Sequence, residues 1–167
     1  MSRRSTLTVR DQPVAASTSA SGTLASHSET FVVETSERIH VIDLTDRVTA
    51  IVAKLAVKEG LVSLCSLHTT CTVFINEFQP ALLADFKTFL ERAVARDGGW
   101  LHNDPAHSDC DRMNADSHLR ALLLGHSVTL QLAGSEIVLG QWQRILMAEL
   151  DGPRMRTFRV MVMGVSH

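Results

Sequence analysis

The sequence predicts an α+β protein, a mainly antiparallel β-sheet or sandwich flanked by two or three α-helices. Two observations carry that class. Segments 45–59, 80–96 and 114–124 space their apolar residues for helices and alternate with runs rich in β-branched residues. The C-terminal part then reads as four consecutive strands joined by short glycine-bearing turns.

The elements follow in chain order. Residues 1–28 are rich in Ser, Thr and Ala, show no sustained period, and are expected to form a flexible tail; residues 29–167 make one domain. Thr30–Glu34 (TFVVE) and Ile39–Leu44 (IHVIDL) flank a turn-like TSER and predict a hairpin. Thr45–Glu59 places Val48, Ile51, Val52, Leu55 and Ala56 at helical spacing, with Thr45 to cap its start and Gly60 to end it. Leu61–Ile75 has high β-propensity throughout. If that strand is unbroken, Thr69, Cys71, Val73 and Ile75 share one face and His68, Thr70, Thr72 and Asn76 the other. Pro80–Arg96 is a helix with Leu82, Leu83, Phe86, Phe89, Leu90 and Ala93 as its buried stripe. An irregular stretch, Trp100–Met113, holds His102, His107, Cys110, Asp104, Asp109 and Asp111. Asn114 then caps a short helix to Leu124, with Leu119, Leu122 and Leu123 facing inward. The remaining strands are Ser127–Ala133, Glu136–Leu139, Gln143–Leu150 and Met155–Met163.

Composition narrows the function classes. The chain has 167 residues, a formal net charge of −2 and three cysteines. That charge gives no global positive field for nucleic acid. The cysteines form neither a disulfide framework nor a zinc knuckle, which suits a reducing, cytoplasmic setting. No apolar run reaches the roughly 20 residues a membrane span needs. Eight histidines stand against no tyrosine.

The stretch HTTCTVFINE, His68–Glu77, packs a histidine, a cysteine, three threonines, an asparagine and a glutamate into ten residues. Strand alternation sends Cys71 to the apolar face, where cysteine behaves as a small hydrophobe and not as a nucleophile. His68 instead heads a polar face with Thr70, Thr72 and Asn76. The donors between His102 and Asp111 follow no spacing with a fixed metal chemistry, and no glycine-rich phosphate loop is present.

Taken in order, several motifs resemble the YjbQ family, the secondary thiamine-phosphate synthase-like proteins. They are His68-Thr69-Thr70 with Asn76-Glu77, His102-Asn103, Asp111-Arg112-Met113-Asn114-Ala115 with His118-Leu119, and Leu124-Gly125 with Ser127. Leu139-Gly140-Gln141-Trp142-Gln143 and Asp151-Gly152-Pro153-Arg154-Met155-Arg156 complete the set. The resemblance spans about Glu29 to Gly164. Cys71, His126 and Gln131 depart from the family pattern without touching the shared polar residues.

The resemblance implies a YjbQ-like homotrimer that joins hydroxymethylpyrimidine diphosphate to thiazole phosphate, giving thiamine phosphate as a secondary activity. It implies catalytic roles for His68, Glu77 and His118. Thr70, Asn76, Asn103, Asn114, Ser127, Trp142, Gln143 and Arg156 become the expected substrate-binding residues, with Trp142 and Gln143 as wall and handle for a flat heterocycle. His68, His102 and His118 form a candidate ligand set for a divalent ion, Zn or Mg, or a cradle for a phosphate. Two alternatives stay open: a metal-dependent hydrolase, and a trimeric non-catalytic protein that binds a small phosphorylated metabolite.

Overall fold

The computed structural model describes residues 19–166 and contains two antiparallel sheets. The elements are β1 (Thr23–Glu34), β2 (His40–Asp43), α1 (Thr45–Val52), β3 (Val57–Ser66), β4 (Cys71–Asn76), α2 (Pro80–Ala93), α3 (Ala115–Leu124), β5 (Ser127–Ala133), β6 (Glu136–Ile137), β7 (Arg144–Glu149) and β8 (Met155–Ser166). The larger sheet runs β1-β8-β3-β5-β6 and the smaller β2-β7-β4.

β7 explains the layering. Its sequence RILMAE is buried from Ile145 onward, so neither face meets water. Ile145 and Met147 join the larger sheet and α1 in one core with Phe31, Val62, Leu64 and Phe158. Leu146 and Ala148 point the other way, toward Leu90 of α2 and Ala121 of α3. The small sheet is thus the middle layer, with the large sheet on one side and α2 and α3 on the other. Full burial of a side chain such as Leu146 removes it from water at a gain of about 1.5–3 kcal/mol.

Several expectations change. β1 begins at Thr23, so residues 23–28 belong to a strand and not to the tail. Their polar sequence hides this, because the strand is held by its ladder to β8, from Thr23 opposite Ser166 to Glu34 opposite Met155. Residues 1–18 lie outside the described residues. β1 and β2 form no hairpin: β1 pairs with β8, and β2 pairs with β7 in the other sheet.

α1 stops at Val52, and residues 57–60 enter β3, where Gly60 lies opposite Gly164 of β8. The helix-friendly KEG is overridden by strand pairing, and glycine is required at the crossing. A Cβ on Gly164 would stand 2.7 Å from Gly60 Cα. Asp43, not Thr45, caps α1 by accepting the Thr45 N–H at 2.8 Å.

The run 61–75 is two strands. Residues 67–70 turn between β3 and β4, so His68 sits in a connection and not on a strand face. Cys71 is nonetheless fully buried, and that burial pushes its thiol up to about 11.

α2 forms as expected, with Pro80 in its first turn and Gln79 Oε1 accepting the Leu82 N–H at 2.8 Å. Its stripe is only partly covered: Leu90 is buried, whereas Phe89 and Ala93 are exposed. α3 turns a different face inward. Asp116, Ser117, Arg120 and Ala121 are buried, while Leu122 and Leu123 face out.

Candidate functional site

The site grows from the C-terminal end of β7. Glu149 is completely buried, and an unpaired carboxylate there would be costly. It is satisfied from all sides. Arg156 donates through Nε at 2.5 Å and through a second, shorter contact. The backbone N–H groups of Leu150 and Asp151 donate at 2.9 and 2.8 Å, and the Thr35 hydroxyl at 3.2 Å. Arg156 also donates to Thr70 Oγ1 at 2.9 Å, fixing the turn that carries His68.

His68 is anchored by the next residue of β8. The Thr157 N–H donates to His68 Nε2 at 2.8 Å. An imidazole nitrogen that accepts a hydrogen bond carries no proton, so a neutral ring keeps its proton on Nδ1. Burial lowers the His68 pKa, and the Arg156 guanidinium lowers it further against an opposing pull from Glu149. His68 is therefore a neutral N–H donor with a fixed tautomer.

Two residues beyond Glu149, Asp151 is also buried. It accepts from Asn114 Nδ2 at 2.8 Å, Arg154 at 2.6 Å, Arg112 Nε at 3.1 Å and Arg38 at 3.3 Å. Asn114 gives its Nδ2–H to Asp151 and its Oδ1 accepts the Cys110 thiol at 3.7 Å, so Asn103 provides the helix cap: its Oδ1 accepts the Ala115 N–H at 2.9 Å. That bond ties the short turn Leu101–Asn103 to α3. His102 on the turn and His118 on α3 meet edge to face, with ring centroids 5.0 Å apart. The His118 pKa is lowered chiefly by burial and then by His102, against Asp151 and Asp116. Inside α3, Asp116 pairs with Arg38 and Arg120.

Charge accounting gives this end of the molecule its character. Five guanidiniums (Arg38, Arg112, Arg120, Arg154, Arg156) face three carboxylates (Asp116, Glu149, Asp151). Arg112, Arg38 and Arg154 keep 49, 31 and 28% of their side-chain surface exposed, so the surplus positive charge reaches solvent.

The expected site residues divide. His68, Thr70, Asn103, Asn114, His118 and Arg156 gather around Glu149 and Asp151, with His102 beside them. Asn76, Glu77, Trp142 and Gln143 lie at the opposite end of the small sheet. Asn76 pairs with Arg144, whereas Cys71 pairs with Glu149 at the other end of the same ladder, ~17 Å away at strand spacing. The Glu77 N–H donates to Asn76 Oδ1, at the same far end. Trp142 is half exposed, and Gln143 braces its own loop by accepting the Gly140 N–H. Ser127 opens β5 opposite Cys65, on the face turned from the core.

The three-histidine ligand set does not fit. Among the described residues no three His, Cys, Asp or Glu side chains are placed to hold a metal ion together. His102 and His118 meet, but His68 Nε2 is taken by the Thr157 N–H. Sequence reasoning missed Glu149, Asp116 and Arg38, the last of which reaches Asp116 and Asp151 from 78 and 113 residues away. One signal was available: MAELD places two carboxylates at the end of an otherwise apolar strand.

Residues 29–165 match the family model described as UPF0047 protein YjbQ-like. The chain belongs to the YjbQ/UPF0047 family. A UPF0047 protein of Methanothermobacter thermautotrophicus is 39% identical over 138 residues, covering 83% of this chain and 92% of the relative. UPF0047 protein YugU of Bacillus subtilis is 29% identical over 136 residues, covering 81% and 98%. The crystal structure of a YbjQ-like protein of unknown function from Sulfolobus solfataricus superposes with a TM-score of 0.79 at 30% identity, covering 84% of this chain and 99% of that one. A YjbQ/UPF0047 protein of Clostridium acetobutylicum gives 0.72 at 27% identity, covering 80% and 98%. These likenesses establish YjbQ membership and the α+β fold. Among the described residues, no helix is long and apolar enough to cross a membrane.

Proposed function

We propose that the chain is a thiamine-phosphate-synthase-like transferase, joining hydroxymethylpyrimidine diphosphate to thiazole phosphate as a secondary activity. The observation that carries this reading is the surplus of guanidinium over carboxylate around Asp151, beside neutral imidazoles. Such a site favours an anionic, phosphorylated ligand.

The chemistry sets the demand. The thiazole nitrogen attacks the pyrimidine methylene carbon with its lone pair. A C–N bond forms, the C–O bond to diphosphate breaks, and diphosphate leaves with the electron pair. The nucleophile has no proton to lose, so a general base at Glu77 has no task. What the reaction needs is cationic and N–H donors at the departing diphosphate. Arg112 and Arg154 supply charge, and His68 Nδ1–H and His118 supply neutral donors.

A homotrimer is part of the same proposal. Leu61, Met161 and Met163 are 43, 40 and 39% exposed on neighbouring strands of the larger sheet, which supports contact between copies. Light scattering should then give three times 18.3 kDa. Three free cysteines suit a cytoplasmic setting.

The test is thiamine phosphate formation from the two precursors. Arg154→Gln and His118→Ala should each lower turnover about tenfold or more while the fold is kept. Undiminished turnover in both variants overturns the assignment, and wild-type protein with no turnover overturns the reaction.

A further inference from the structure

Beside the Asp151 centre lies a cleft of about 680 Å³ lined by Arg96, Asp97, Gly99, Trp100, Asn103, Asp104, Pro105 and Met113. Its aromatic wall is held in place. Trp100 Nε1 donates to Ala95 O at 2.8 Å, and Gly98 lies so close that a Cβ there would stand 2.5 Å from the indole atoms Cε2 and Cζ2. Met113 has φ +49°, a left-handed conformation uncommon for a residue with a side chain, and leaves 48% of its surface exposed. A fixed indole, an exposed thioether and Pro105 suit a flat ring.

The polar groups choose which ring. Two carboxylates, Asp97 and Asp104, line the cleft against one guanidinium, Arg96. That balance disfavours an anion and favours a group with N–H donors. Asp104 is already engaged by the Ala106 N–H and His107 Nδ1, each within 2.9 Å. Asp97 has no hydrogen-bond or ion-pair partner among the described residues, so its oxygens are free to accept.

Connectivity aims the cleft at the charged centre. Met113 lines it, while Arg112 and Asn114 on either side both hold Asp151. Asn103 also lines it and caps α3, which carries His118.

We propose that this cleft binds the flat ring of an amino-heterocycle of the pyrimidine type, with Trp100 as wall and Asp97 as acceptor of its amino N–H. The phosphorylated arm then runs along Arg112–Asn114 to the Asp151 centre. This rests on the reading of that centre as a phosphate site, and it gives Trp100 the role that the family resemblance gave Trp142.

The chain has two tryptophans, so Trp142→Phe leaves Trp100 as its one indole. Titration of that variant with unphosphorylated hydroxymethylpyrimidine should quench its emission saturably, whereas inorganic diphosphate alone should not. Asp97→Asn in the same background should weaken pyrimidine binding by about tenfold with an unchanged melting temperature. Absence of quenching by the pyrimidine overturns the cleft; if thiamine phosphate is still formed, the proposed reaction survives. Quenching without turnover keeps the cleft and removes the reaction. Equal affinity in Asp97→Asn overturns the role of Asp97.

Discussion

The backbone N–H of Thr157 donates to Nε2 of His68, so β8 decides which nitrogen of the histidine carries its proton. His68→Ala leaves that N–H without a partner and should cost about 1–3 kcal/mol. His68→Gln keeps an acceptor at the same reach and should recover most of the loss. Urea denaturation of the two variants checks this, and equal stabilities would contradict the bond.

His68 and His118 are both held below the usual imidazole value of about 6.5, in each case first by burial. Groups that resist protonation only when folded favour the unfolded chain in acid. Their contribution is undiminished above about pH 6.5, and stability declines as pH falls through that value until the folded rings also protonate. Denaturation midpoints near about pH 7.5 and about pH 5.5 should therefore differ, the acid one being lower. His68→Gln should narrow the gap.

Glu149 and Arg156 are a fully buried ion pair, 0 and 3% exposed. Arg156→Met strands the carboxylate and should destabilise by about 3–5 kcal/mol. Adding Glu149→Gln removes the stranded charge, so the double variant should lose less than the two single losses combined. A double-mutant cycle in urea measures the coupling, and strict additivity would refute it.

The Gly60–Gly164 crossing brings β3 and β8 together with no side chains between them. Gly164→Ala places a methyl against Glu59 O and Gly60 Cα, so it should cost about 1–3 kcal/mol. Thermal unfolding reads the loss. A neutral result would mean that the strands can move apart there.

Much of the fold was legible where local chemistry and tertiary pairing agree. Pro80 and the Leu83–Leu90 spacing announced α2, and the runs between glycine-bearing turns announced β5 and β8. It failed where pairing overrides propensity, as at Lys58–Gly60, and where a polar edge such as Thr23–Ser28 is held chiefly by its backbone ladder to β8. The α3 face was unreadable for a different reason. Asp116 is buried between Arg120, one helical turn on, and Arg38, 78 residues earlier; the i,i+4 pair reads as an ordinary surface pair until the distant Arg38 closes over it. The site divided on the same principle. His68 and Arg156 were found by motif, but HTTCTVFINE spans the length of a strand, so Glu77 is carried away from His68 by the geometry that makes the motif.

β8 lies between β1 and β3, joined to each by a long ladder. A chain emerging from the ribosome makes β1 early and must then hold it unpaired until β8 appears. The joining of β1 to the β3-β5-β6 part of the large sheet, Arg156 and the Thr157 amide that orients His68 therefore all arrive together and late. Such distant pairing slows folding and leaves β1 open to foreign strands in the interval. Loss of the last strand would remove the seam on which both the core and the site are assembled.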